Sequence, residues 1–173
     1  MRDIFNQELK QLGSDLETMA RQVATAIERA AESLGNGDII VALRMAQTLE
    51  RQGDLARHVA AIARGRYPEP PVPEPVMGLI LQMADAAVRA GADVARLIAT
   101  HDLELAAQIQ RGDSALDALH RQSFQMILDP ANDLSRQQVV DAVLMGRFLE
   151  RFGDHSTSVA RRMAYLVSGG APG

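Results

Sequence analysis

Two hexapeptides 100 residues apart constrain this chain more than any other feature: Leu49-Glu-Arg-Gln-Gly-Asp54 and Leu149-Glu-Arg-Phe-Gly-Asp154. The same offset aligns Met45 with Met145, Val59 with Val159 and Ala60 with Ala160. Shared amphipathicity reproduces apolar positions, but not a charged pair and a glycine at fixed places. The pattern reads as tandem duplication of a helical unit.

Helical periodicity surrounds both copies. Over residues 3–34, Phe5, Leu9, Leu12, Leu16, Met19, Val23, Ile27 and Leu34 recur at steps of three, four or seven and form one apolar stripe. Gly35-Asn-Gly-Asp38 ends that helix, and Asp38 can cap the next. Further helices are predicted near 39–66, 76–99, 102–128 and 134–167. Pro68, Pro70, Pro71, Pro73 and Pro75 interrupt them as a stiff extended linker. No segment alternates like a strand. Apolar residues make up 47% of the chain but aromatics only 3%, so the core vocabulary of Ala, Leu, Val, Ile and Met is helical. The expected fold is all-α, as tandem helical bundles.

The halves are unequal. Asp102 precedes Glu150 by 48 residues, whereas the similarly placed Asp38 precedes Glu50 by 12. The first half is shorter by about 36 residues, roughly one long helix and a turn at 1.5 Å rise per residue. The expected organisation is a shortened repeat over 1–67 lacking its middle helix, a linker over 68–75, and a three-helix repeat over 76–168. Residues 3–34 and 39–66 would pack as a hairpin. Its apolar surface, including Val23, Ile27, Ile40 and Leu43, would be covered by the other bundle or by a second copy in a homodimer.

Composition narrows function. The net charge of -4 argues against nucleic acid and anionic membranes as partners. The chain has no cysteine, which excludes disulfides, thiolate metal sites and cysteine nucleophiles. The charged opening Met1-Arg-Asp-Ile-Phe does not read as a signal peptide, and no apolar run approaches the ~20 residues that span a bilayer. No nucleophile elbow or phosphate-cradling glycine loop is present, so no enzyme is expected.

The repeated motif offers one chemistry. Glu50 with Asp54, and Glu150 with Asp154, stand four apart and share a helical face, roughly opposite the main apolar stripe. Like charges at this spacing cost ~0.2–0.5 kcal/mol. A glycine inside a helix costs a further ~0.5–1 kcal/mol. Accepting both costs twice suggests use: paired carboxylates are hard ligands for a cation, and glycine lets another group approach. The competing reading is a solvated face, with Arg57 near Asp54 and Arg147 near Glu150 forming exposed ion pairs. Asp113 and Asp117 form a third pair. A short connection makes 102–128 and 134–167 antiparallel neighbours, so Asp113, Asp117, Glu150 and Asp154 are expected to converge on one acidic patch. His58, His101, His120 and His155 form no His-x-x-x-His or Glu-x-x-His pattern and read as surface or core residues. His155 is a weaker candidate ligand.

The duplicated Leu-Glu-Arg-x-Gly-Asp, each copy followed by an apolar helix end, resembles the PhoU family of phosphate-system regulators. Met1-Arg-Asp-Ile-Phe-Asn-Gln-Glu-Leu9 and Arg64-Gly-Arg-Tyr-Pro68 resemble its actinobacterial branch. The resemblance covers nearly the whole chain. It implies two three-helix bundles and a cytoplasmic protein that restrains the phosphate-starvation response. It also implies action between a phosphate ABC transporter, through its ATPase subunit, and a sensor histidine kinase. It implies multinuclear iron or zinc on acidic motifs of neighbouring helices, carried over to Asp113, Asp117, Glu150 and Asp154, with Glu50 and Asp54 as a partial site in the short half. The residues alone leave two alternatives: a helical metal-binding protein, or a plain helical scaffold with surface ion pairs.

Overall fold

The computed structural model describes residues 39–168. They form α1 (Ile39–Arg66), α2 (Val76–Thr100), α3 (Leu103–Leu128), a 3-10 turn (Pro130–Asn132) and α4 (Arg136–Ser168). No strand occurs among the described residues. The helix expected over 3–34, its hairpin with α1 and the Asp38 cap lie outside them. None of the described helices is long and apolar enough to cross a membrane.

Local chemistry sets the helix ends. His101 takes a left-handed φ of 57° and donates its N–H to the Leu97 carbonyl at 2.8 Å, closing α2. Asp102 then caps α3, its carboxylate accepting from the Glu104 and Leu105 N–H groups. Asp129 accepts from the Ala131 N–H, and Asn132 Nδ2 donates to the Met126 carbonyl at 2.7 Å, which folds the chain back. At the start of α4, Ser135 Oγ accepts from the Gln138 N–H while Gln138 Oε1 accepts from the Ser135 N–H at 2.9 Å. This reciprocal box satisfies two donors that a helix start leaves free. The α3 and α4 helices therefore run antiparallel.

Helices α2, α3 and α4 form a bundle, and α1 packs antiparallel along α4. The core divides in two. One end holds Met45, Leu49, Val94, Leu97, Val159 and Met163; the other holds Val59, Val76, Met83, Leu116, Met145 and Phe152. Each fully buried side chain of this size contributes ~1.5–3 kcal/mol through removal from water. A polar layer lies on the α1–α4 seam. Gln52 is buried and donates to the Phe152 carbonyl at 3.1 Å and to Ser156 Oγ at 2.8 Å.

The proline segment is not the extended spacer expected from its composition. Pro71 and Val72 are fully buried, and Val72 packs with Val59 and Val76 in the second core cluster. Tyr67 and Glu69 donate N–H groups back to the Arg64 and Arg66 carbonyls, turning the chain at the end of α1. Apolar Val72 among the prolines gains more from burial than an exposed spacer would allow. Residues on both sides of the segment thus share one core. A clamp adds to this: Arg66 donates from Nε and Nη2 to the two oxygens of buried Asp141 at 2.6 and 3.0 Å. Gln137 adds a third hydrogen bond. The Arg66 hydrogen bond outweighs burial and holds the Asp141 carboxyl below its usual range.

Candidate metal centre

The antiparallel turn places the middle of α3 beside the middle of α4. Asp117 of α3 meets Glu150 and Asp154 of α4, with one carboxylate oxygen from each lying within 4.8 Å of the other two. Asp117 and Glu150 are half-buried and Asp154 is exposed. Asp113 lies on α3 one turn before Asp117; its side chain is outside the described residues. Three of the four acids expected on one patch are thus brought together.

The surroundings of Glu150 are mixed. Arg147 Nη1 donates to both of its oxygens, at 2.8 and 2.7 Å. The ion pair expected for a solvated face is therefore present at the same carboxylate as the acidic cluster. Burial first, and then the Asp154 charge, push the Glu150 carboxyl above its ordinary range. Arg147 and His120 oppose the shift, and Asp117 adds to it. A divalent cation among the three carboxylates would relieve this repulsion. Two oxygens each ~2.0–2.6 Å from one ion stand at most ~4.0–5.2 Å apart, a range that includes the observed upper separation. The residues present fit a metal.

The first copy of the motif differs. Glu50 and Asp54 are exposed, and Asp54 accepts from Arg57 Nη2 at 2.7 Å. Among the described residues no third ligating side chain joins them. The close approach suggested for the glycine also fails here: a Cβ on Gly53 would meet nothing within 4 Å.

His155 does not join the cluster. Burial, followed by Arg151 and Arg51, lowers its pKa. His120 does not join it either: it lies partly buried on α3, its ring against Phe124 at a centroid distance of 5.0 Å, and its Nε2 is buried without a hydrogen-bond partner.

An all-helical chain with a carboxylate cluster between antiparallel helices, and a second copy of the motif 100 residues away, defines a class of duplicated acidic helical bundles. The PhoU domain model matches residues 80–163, which span most of α2, all of α3 and most of α4. The phosphate-specific transport system accessory protein PhoU homolog 2 of Mycobacterium tuberculosis is 39% identical over 171 residues, covering 94% of this chain and 80% of that protein. PhoU homolog 1 of the same species is 30% identical, covering 99% of this chain and 96% of that protein. That alignment runs over 214 positions against 173 residues here, so part of this relative has no counterpart in the chain. The crystal structure of the phosphate transport system regulatory protein PhoU from Streptococcus pneumoniae superposes with a TM-score of 0.69 at 18% identity, covering 96% of this chain and 98% of that one. It shares the fold. The chain belongs to the PhoU family, whose members are phosphate transport system accessory proteins.

Proposed function

We propose that this protein restrains phosphate uptake and the phosphate-starvation two-component response by protein–protein contacts rather than by catalysis. The observation that carries the reading is the 39% identity to a mycobacterial phosphate-transport accessory protein over 94% of the chain. Its partners are the ATPase subunit of the phosphate ABC transporter and the sensor histidine kinase, met in the cytoplasm. The net charge of -4 suits protein partners better than nucleic acid. Exposed Ile40 and Leu43 on α1 offer apolar surface for a homodimer contact. The shorter first half is read as lacking a middle helix, from the 12-residue spacing of Asp38 and Glu50 against the 48 of Asp102 and Glu150.

Deletion of the gene is expected to leave transporter expression high in phosphate-rich medium, with restoration by the wild-type gene. Unchanged expression in the deletion strain would overturn the regulatory role. Capture with purified ATPase and kinase separates the two contacts.

The carboxylate cluster favours a second, compatible reading: iron or zinc, in a multinuclear arrangement if Asp113 joins, bound by Asp117, Glu150 and Asp154. Metal content of protein purified without a polyhistidine tag tests it. Metal-free protein that takes up neither ion on addition would leave the cluster a structural acidic patch.

A further inference from the structure

We infer that the outer side of the α1–α4 seam is a docking groove for an acidic amphipathic helix of a partner protein, which sets carboxylates against Arg44, Arg51, Arg151 and Arg162 and apolar side chains against Leu144 and Phe148. The inference rests on the reading proposed above, that the chain works through protein contacts, and adds the surface and the chemistry of the partner.

Geometry carries it. On α1, Arg44, Arg51 and His58 stand seven apart and share one face. On α4, Leu144, Phe148, Arg151, His155 and Arg162 share a face at steps of four, three, four and seven. The two helices are antiparallel, so these faces meet as rungs across the seam. His58 lies against Phe148 at a ring-centroid distance of 5.1 Å. Arg51 of α1 and Arg151 of α4 both act on the partly buried His155, adding to the effect of burial in lowering its pKa. Arg162 reaches over the seam, Nη1 donating to Thr48 Oγ1 at 3.0 Å and to Ser158 Oγ at 2.8 Å, and stands near enough to Arg44 for the two charges to repel. Rungs seven residues apart are ~10 Å apart along a helix, so three of them span ~20 Å, about four turns of a bound helix.

The charges name the occupant. The chain is acidic overall, yet Arg44, Arg51, Arg151, Arg161 and Arg162 form no ion pair among the described residues. The nearest acidic side chains of both motifs are engaged elsewhere: Asp54 with Arg57, Glu150 with Arg147, and Asp154 in the acidic cluster. Carboxylates from outside would pair bidentately with these guanidinium groups and end their mutual repulsion. The other end of the groove is apolar, with Leu144 39% exposed and Val140, one turn before it, 49% exposed. An apolar anchor beside an arginine stripe is the pattern of a helix-in-groove interface. Nucleic acid would need a wider positive field than a chain of net charge -4 provides.

The test uses the full chain, with purified ATPase subunit and the cytoplasmic part of the kinase as probes. Affinities come from calorimetric titration at low and high salt, folding from circular dichroism and oligomeric state from sedimentation. Wild type is expected to bind at least one probe, more weakly at high salt. Arg44→Glu with Arg51→Glu should weaken that binding at least about tenfold, and Leu144→Ser should weaken it too, whereas Arg57→Glu, on the opposite face of α1, should leave it unchanged. Arg44→Gln with Arg51→Gln replaces the reversal if that variant does not fold. A folded double variant that keeps wild-type affinity overturns the groove and leaves the protein-contact reading standing. If the double variant keeps that affinity but turns a dimer into a monomer, a second copy fills the groove and the proposal is equally overturned. Wild type that binds neither probe overturns both the proposed partners and the groove.

Discussion

The two copies of Leu-Glu-Arg-x-Gly-Asp are nearly the same peptide in two different settings. On α1 the acids Glu50 and Asp54 face outward, and Asp54 is held by Arg57. On α4, Glu150 is half-buried and meets Asp117 from α3. The difference comes from the neighbour: α4 has α3 along its acidic side, and the described structure supplies α1 with no such helix. An E-x-x-x-D pair becomes a candidate site only when a second helix brings a third ligand. The one position where the hexapeptides differ is where the helices carrying them touch. Gln52 of the first donates to the Phe152 carbonyl of the second, while the Phe152 ring enters the core.

That differing position gives the largest expected effect. Phe152→Ala leaves a cavity in the second cluster and should destabilise the protein by ~3–5 kcal/mol. Gln52→Ala deletes only hydrogen bonds in the polar layer and should cost ~1–3 kcal/mol. Urea denaturation of both variants checks the order. A Gln52 variant as damaging as the Phe152 one would show that the seam, not the core, holds α1 to α4.

Next come the acids. Asp154→Asn should weaken zinc about 10–100-fold, and the matching Asp54→Asn should leave zinc affinity unchanged. Isothermal titration of the two variants side by side measures the difference. Equal losses would mean that the exposed copy is also a ligand set, completed by groups beyond residues 39–168.

The sequence displayed much of this arrangement and hid specific parts of it. The ends of α1, α2 and α3 lie within a residue of expectation because glycine, proline and capping signals are local. The gathering of Asp117, Glu150 and Asp154 was legible from i, i+4 spacing and a short turn, but counting residues from the turn sets Asp113 level with Glu150, whereas Asp117, one turn later, is the residue that meets it. Burial of Pro71 and Val72 was not legible: a proline-rich run reads as a linker until the gap it fills is known. The packing of His120 against Gly146 was not legible either, because it joins two helices and no spacing within α3 reveals it.

The pH response offers a smaller effect that separates Glu150 of the second motif from the clamp. Glu150 has a raised pKa in the fold, so its share of stability is fully present below the unfolded value of ~4.3 and is lost as pH rises through the folded value. Glu150→Gln should therefore raise the melting temperature of metal-free protein at pH 8, with the gain vanishing near pH 4. Asp141 behaves oppositely. Its lowered pKa gives stability that is present above ~3.9 and lost as pH falls through the folded value, so Asp141→Asn should be most damaging near neutrality. Melting curves across this range check both signs. A Glu150→Gln variant less stable than wild type at pH 8 would show that its ion pair with Arg147 outweighs burial and repulsion.

The smallest effect tests the glycines at the fifth position of each motif. Gly53 sits inside α1, exposed, with open space where a Cβ would be. Its helical backbone is compatible with alanine, so Gly53→Ala should stabilise the chain by ~0.5–1 kcal/mol, mainly by reducing the freedom of the unfolded state. Gly153 is buried, in the wall of a cleft of about 280 Å³ that also includes Ala90, Gly112 and Thr157. The helix-propensity gain of Gly153→Ala should be similar, but the added methyl must fit beside α2 and α3. The difference between the two stabilities, read from chemical denaturation, isolates the cost of a side chain at the buried copy. A smaller gain at 153 than at 53 would show that the second glycine serves close packing. Equal gains would show that neither glycine is required by its neighbours, and that the bundle accepts the helix penalty at both copies for reasons outside packing.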